Sequence, residues 1–114
     1  MNHLEILNSA VDMLKLKGQL YGPEDVLHED ISKLCTVLLN KSISPYDVAM
    51  VHVATKLARI KNQRDHFDSY IDAVNYLSFA GQFAQRMDSV TVAMEDELVK
   101  FTQQVMAQPQ DDTQ

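Results

Sequence analysis

The stretch Ser44-Pro45-Tyr46-Asp47-Val48-Ala49-Met50-Val51-His52-Val53-Ala54-Thr55-Lys56-Leu57-Ala58-Arg59-Ile60-Lys61-Asn62 decides the fold class. A serine cap, a proline at the first helical position and an acid in the first turn open a helix. Val53, Leu57 and Ile60 then recur at spacings of four and three, which is the period of a helix and not of a strand. The same grammar repeats on both sides. A first helix is expected over about Leu4 to Lys17, with Asn2 and Glu5 as a capping pair, Leu4, Leu7, Val11 and Leu14 as its apolar row, and Gly18 as its stop. A second should begin at Pro23 and end near Asn40, burying Leu27, Ile31, Leu34 and Leu38, with Glu24 and Asp25 at its positive end.

After the polar connection 63–67, a fourth helix is expected over about Asp68 to Gln85, burying Ile71, Val74 and Leu77. A fifth should run from about Ser89 to Met106 and bury Val90, Met94, Leu98, Phe101 and Val105. Residues 107–114 read as a disordered acidic tail. The expected architecture is therefore all-α: a helical bundle of four main helices plus a C-terminal fifth, in a single domain over residues 1–106. Several helices are apolar over more than half their circumference. That favours a homo-oligomer, with Val48, Val51, Phe79 and Phe83 as interface candidates; a well-filled monomeric core is the alternative.

A chain of 114 residues has room for one compact core. Three glycines and three prolines are too few for many strands and tight turns. No apolar run is long enough to span a membrane, and the N-terminus lacks the regions of a secretory signal. The single cysteine, Cys35, fits a reducing, cytoplasmic setting and reads as packing among Leu34, Val37 and Leu38. A formal charge of −6 argues against bulk nucleic acid and anionic membranes as partners.

Chemistry concentrates between His52 and Asn75. His52, Lys56 and Arg59 share one face of the third helix, and Lys61 and Arg64 follow. A local cationic stripe on an acidic chain suits one specific anion, phosphate above all, because lysine supplies a point charge and arginine a planar fork. The plain alternative is that these bases pair with Asp65, Asp68 and Asp72. Asp68, Asp72 and Asn75 share a face of the fourth helix. They can hold a hard cation, accept bonds from ribose or base, or salt-bridge to Lys56 and Arg59. Glu24, Asp25 and His28 cluster on the second helix, as possible further metal ligands or as ordinary dipole complements. Tyr21-Gly22 offers either a stacking platform or a plain turn. No glycine-rich phosphate loop, CxxC, HExxH or serine-elbow motif is present.

In order, Tyr21-Gly22, His28-x-x-Ile31, Ile43-x-Pro45-x-Asp47-Val48, Lys56-Leu57-Ala58-Arg59-Ile60, Asp68-x-x-x-Asp72 and Tyr76 stand along the chain. This order resembles an uncharacterised family of small phage and prophage proteins whose usual pattern is a YG turn, an I-T-P-x-D-V helix start, a K-x-A-R-I helix and a D-S-x-x-D-x-x-x-Y helix. The resemblance covers roughly residues 4 to 80. More distantly, the arrangement is similar to the MazG-like all-α nucleotide pyrophosphohydrolases, which hold Mg²⁺ with E-E-x-x-E and E-x-x-D motifs and cleave nucleoside triphosphates to monophosphates. Here Glu24-Asp25-x-x-His28 ends in histidine and Asp72-Ala73-Val74-Asn75 ends in asparagine, so two of the five acids are missing.

The resemblance implies a nucleotide pocket whose metal chemistry is depleted. The leading expectation is a non-enzymatic protein without a cofactor. It would bind a phosphorylated nucleotide or nucleotide-derived small molecule through Tyr21, His28, His52, Lys56, Arg59, Asp68, Asp72 and Asn75. Its purpose would be sequestering a nucleotide signal of host anti-phage defence in the host cytoplasm. The first alternative is a Mg-dependent pyrophosphohydrolase with Asp68 and Asp72 catalytic and Glu24, Asp25, Asp68 and Asp72 as metal ligands. The second is a non-catalytic protein-interaction module.

Overall fold

A computed structural model describes residues 1–107, apart from the side chains of Tyr21 and of residues 87–94. The described chain is all-helical: α1 (His3–Tyr21), α2 (Glu24–Leu39), α3 (Pro45–Asn62) and α4 (Phe67–Ala107), with no strand among the described residues. The two helical stretches expected over 68–85 and 89–106 both lie within the span of α4. The chain divides into two units, Met1–Ala84 and Gln85–Gln114. The tail expected over 107–114 lies, beyond Ala107, outside the described residues.

The helix ends follow local chemistry. Asn2 caps α1 by accepting from the Glu5 N–H at 2.9 Å. Gly18 does not stop this helix, contrary to expectation: one glycine costs only about 1 kcal/mol in a helix interior. The chain instead leaves α1 at Gly22, whose φ of 81° is a conformation side chains resist. Pro23 stands as N-cap, so α2 starts one residue later than expected, and it ends on Asn40 in the left-handed region. At α3 the expected cap is complete: the Ser44 hydroxyl accepts from the Asp47 N–H at 3.1 Å, while the Asp47 carboxylate accepts from the Ser44 N–H at 2.9 Å.

In the first unit, α3 and α4 form an antiparallel hairpin about the connection 63–66. Its register is read from the pairs across it. Ala49 clusters with Ala80 and Phe83, His52 stacks on Tyr76, and Lys56 bonds Asp72. One turn down α3 thus answers one turn back along α4. The α2–α3 connection is held by the Ser32 hydroxyl, which donates to the Ile43 carbonyl at 2.6 Å, and by the Ile43 N–H, which donates to Thr36 Oγ1 at 3.1 Å.

These bonds turn α2 against its leucine pattern. His28 and Ser32 are its buried residues, whereas Leu34 and Leu38 are 62% and 80% exposed and Leu27 is exposed as well. The expectation that the leucine row faces inward is corrected here: hydrogen bonds and ring contacts of the polar row outweigh it within one chain. On α1, Ala10 is buried while Leu4, Leu7 and Val11 are exposed. Of the proposed interface residues, Val48 and Phe83 are buried in the core and Phe79 packs partly buried against it; Val51 alone is exposed. Val53 and Ile71 are buried as expected, but Leu57 and Leu77 are exposed.

The second unit, taken by itself, is helical to Ala107, with Leu98, Phe101 and Val105 exposed. Burial expected for these three is not found, because a single helix has no second surface on which to bury its apolar row. Val90 and Met94 have side chains outside the described set.

Candidate functional site

Three helices bring polar groups to one place beside the α3–α4 seam. His28 on α2 is 1% exposed, and its Nδ1 lies 2.7 Å from the Glu24 carbonyl oxygen. A carbonyl only accepts, so Nδ1 donates this bond. The ring's Nε2 is buried with no hydrogen-bond partner among the described residues. Four rings surround the His28 ring: Phe79, His52, Phe83 and Tyr76, with centroids 5.2, 5.6, 5.6 and 6.0 Å from its own.

His52 stacks on Tyr76 at 4.6 Å with 20° between planes. Burial lowers the His52 pKa below its ordinary value, His28 and Lys56 push the same way, and Glu24 opposes them. His52 is therefore a neutral ring at pH 7. Burial raises the Tyr76 pKa, and Glu24 and Asp72 add to the rise, so its hydroxyl stays a donor. One turn along the seam, Lys56 Nζ lies 2.9 Å from Asp72 Oδ2, both side chains being largely buried.

A narrow cleft opens here, lined by Leu14, Lys17, Glu24, Asp72, Asn75, Tyr76 and Phe79. Its enclosed part, about 10 Å³, is of the order of one water. The expected residues thus separate into groups. His28, His52, Lys56, Asp72 and Asn75 converge with Glu24, and the positive row of α3 does meet the oxygen-bearing row of α4. They meet as a neutralised pair at Lys56 and Asp72. Arg59 does not join them; it lines a different cleft with Asn62, Gln63 and His66. Asp68 is exposed and lines neither cleft, and Asp25 lies outside both linings. Among the described residues no three His, Cys, Asp or Glu side chains are grouped to hold a metal ion, so the four-carboxylate set Glu24, Asp25, Asp68 and Asp72 is not assembled.

The reading of site residues from sequence passed over Tyr76 and Lys17. Tyr76 carried a signal, standing one turn beyond Asp72 in the row that begins at Asp68. Lys17 carried none, since only the folded arrangement of α1 puts it in the same cleft lining as Glu24.

A family model described as a domain of unknown function (DUF6378) matches residues 5–84, and the chain belongs to that family. The match ends with the first unit. Neither the curated proteins nor the solved structures include a match. No helix among the described residues is long and apolar enough to cross a membrane.

Proposed function

We propose that the first unit binds a phosphorylated nucleotide over the mouth of the Tyr76 cleft, outside its one-water enclosed part, without turning it over. The observation that carries this reading is the stacked His52–Tyr76 pair bordered by charges of both signs. A ring face suits a base. Asn75 and Glu24 offer hydrogen bonds to base or ribose, and Lys17 and Lys56 supply ammonium groups for phosphate. Lys56 must first release Asp72, so the ligand's phosphate competes with a carboxylate already in place. The phage-like motif order supports sequestration of a defence nucleotide in the host cytoplasm as the purpose.

Hydrolysis is the second reading, favoured by Glu24 and Asp72 reaching the same cleft from two helices. A Mg²⁺ ion wants several oxygens in near-octahedral array. Two carboxylates, one of them held by Lys56, fit that demand poorly, and binding therefore leads. The outward leucines of α2 support a homo-oligomer in which a second copy covers Leu34 and Leu38, which light scattering on wild type and Leu34→Glu/Leu38→Glu tests.

A nucleotide panel screened by thermal shift, with and without Mg²⁺, separates the readings. Binding expects a raised Tm with the nucleotide recovered intact, and loss of the shift in Tyr76→Ala. Product formation abolished by Asp72→Ala moves the protein to the hydrolases. No shift with any nucleotide ends both readings and leaves a protein-interaction module.

A further inference from the structure

We propose that the α3–α4 turn carries a second, separate site, which takes a phosphate group. The cleft lined by Arg59, Asn62, Gln63 and His66 has a volume of about 260 Å³, several times the ~30 Å³ share of a water. Every lining side chain is a hydrogen-bond donor: a guanidinium with five N–H groups, two primary amides and an imidazole. None is a carboxylate. Asp65 and Asp68 stand nearby in sequence, but neither lines the cleft.

The wall is fixed by its own backbone. The Gln63 N–H donates to the Arg59 carbonyl at 2.9 Å, the His66 N–H to the Gln63 carbonyl at 3.3 Å, and the Ser69 N–H to the His66 carbonyl at 3.1 Å. The His66 ring is oriented by Ser69, whose buried hydroxyl lies 2.7 Å from Nδ1. That bond leaves Nε2 free of it.

Charge then decides between Lys56 and Arg59 on α3. Lys56 is compensated by Asp72, whereas Arg59 has no ion pair among the described residues. An uncompensated guanidinium among neutral donors attracts an oxyanion more strongly than an ammonium already paired. Donor-bearing side chains at four positions along one cleft suit the four oxygens of a phosphate better than the two of a flat carboxylate. The proposal stands apart from the nucleotide reading, because no residue of the Tyr76 cleft lines this one.

The test is an NMR titration of the full chain with inorganic phosphate at constant ionic strength, following the Asn62 and Gln63 side-chain amides and the His66 ring. Saturable shifts are expected at all three, about tenfold weaker binding in Arg59→Gln, and unchanged binding in Tyr76→Ala. Unsaturable shifts, or equal affinity in Arg59→Gln with its fold intact by circular dichroism, overturn the site. A nucleoside monophosphate that binds more tightly than phosphate, still through Arg59, identifies the group as the end of a larger ligand; equal affinity identifies free phosphate.

Discussion

Breaking the Lys56–Asp72 contact tests the claim on which both functional readings turn, namely that these charges are spent on each other. At 2.9 Å two unit charges attract by about 1.4 kcal/mol at the dielectric of water and about 6 kcal/mol at an effective value near 20. The side chains are only 16% and 21% exposed, so the pair sits between these limits. Desolvation and the ordering of a long lysine take back much of the gain. A coupling of about 1–2 kcal/mol is the expected remainder, above the ~0.2–1 kcal/mol of an exposed pair. The assay is a double-mutant cycle of Lys56→Met and Asp72→Asn, by urea unfolding followed through tyrosine fluorescence. Each single variant should lose stability, and the double variant should recover part of the loss. Coupling should weaken only modestly in high salt, as burial limits screening. A coupling below about 0.3 kcal/mol would refute the reasoning and return both groups to the ligand.

His28→Leu should fall within about 1.5 kcal/mol of wild type, because losing the Nδ1 bond is offset by removing an unpartnered buried Nε2; a loss beyond about 3 kcal/mol in chemical unfolding means that Nε2 has a partner. The folded pKa of His52 lies below its ordinary 6.5, so the unfolded chain takes up the proton first as pH falls. Stability contributed by its neutral form is complete above that value and drops below it, and the fall in Tm on acidification should be shallower in His52→Phe than in wild type. Ser44→Ala removes one half of the α3 capping box and should cost about 1 kcal/mol in the same unfolding assay.

Much of the architecture was legible from short-range chemistry. The Ser44-Pro45-Tyr46-Asp47 start, the Asn2 cap and the end near Asn40 each rest on neighbours within four residues, and each stands in the structure. Gly18 misled because its cost is too small to end a helix that packing sustains. The site was legible in part. Rows on single helices, His52 with Lys56 and Asp72 with Asn75, follow from the helical period alone.

What the chain by itself determined is the helical class, the caps and the faces on which titratable groups are grouped, since these depend on spacing along one backbone. Only the tertiary structure decided that α2 turns His28 and Ser32 inward and its leucines outward, that Lys56 meets Asp72 while Arg59 lines a different cleft, and that Lys17 lines the same cleft as Glu24. Those outcomes depend on the register and crossing of separate helices, which are set by contacts between residues far apart in sequence.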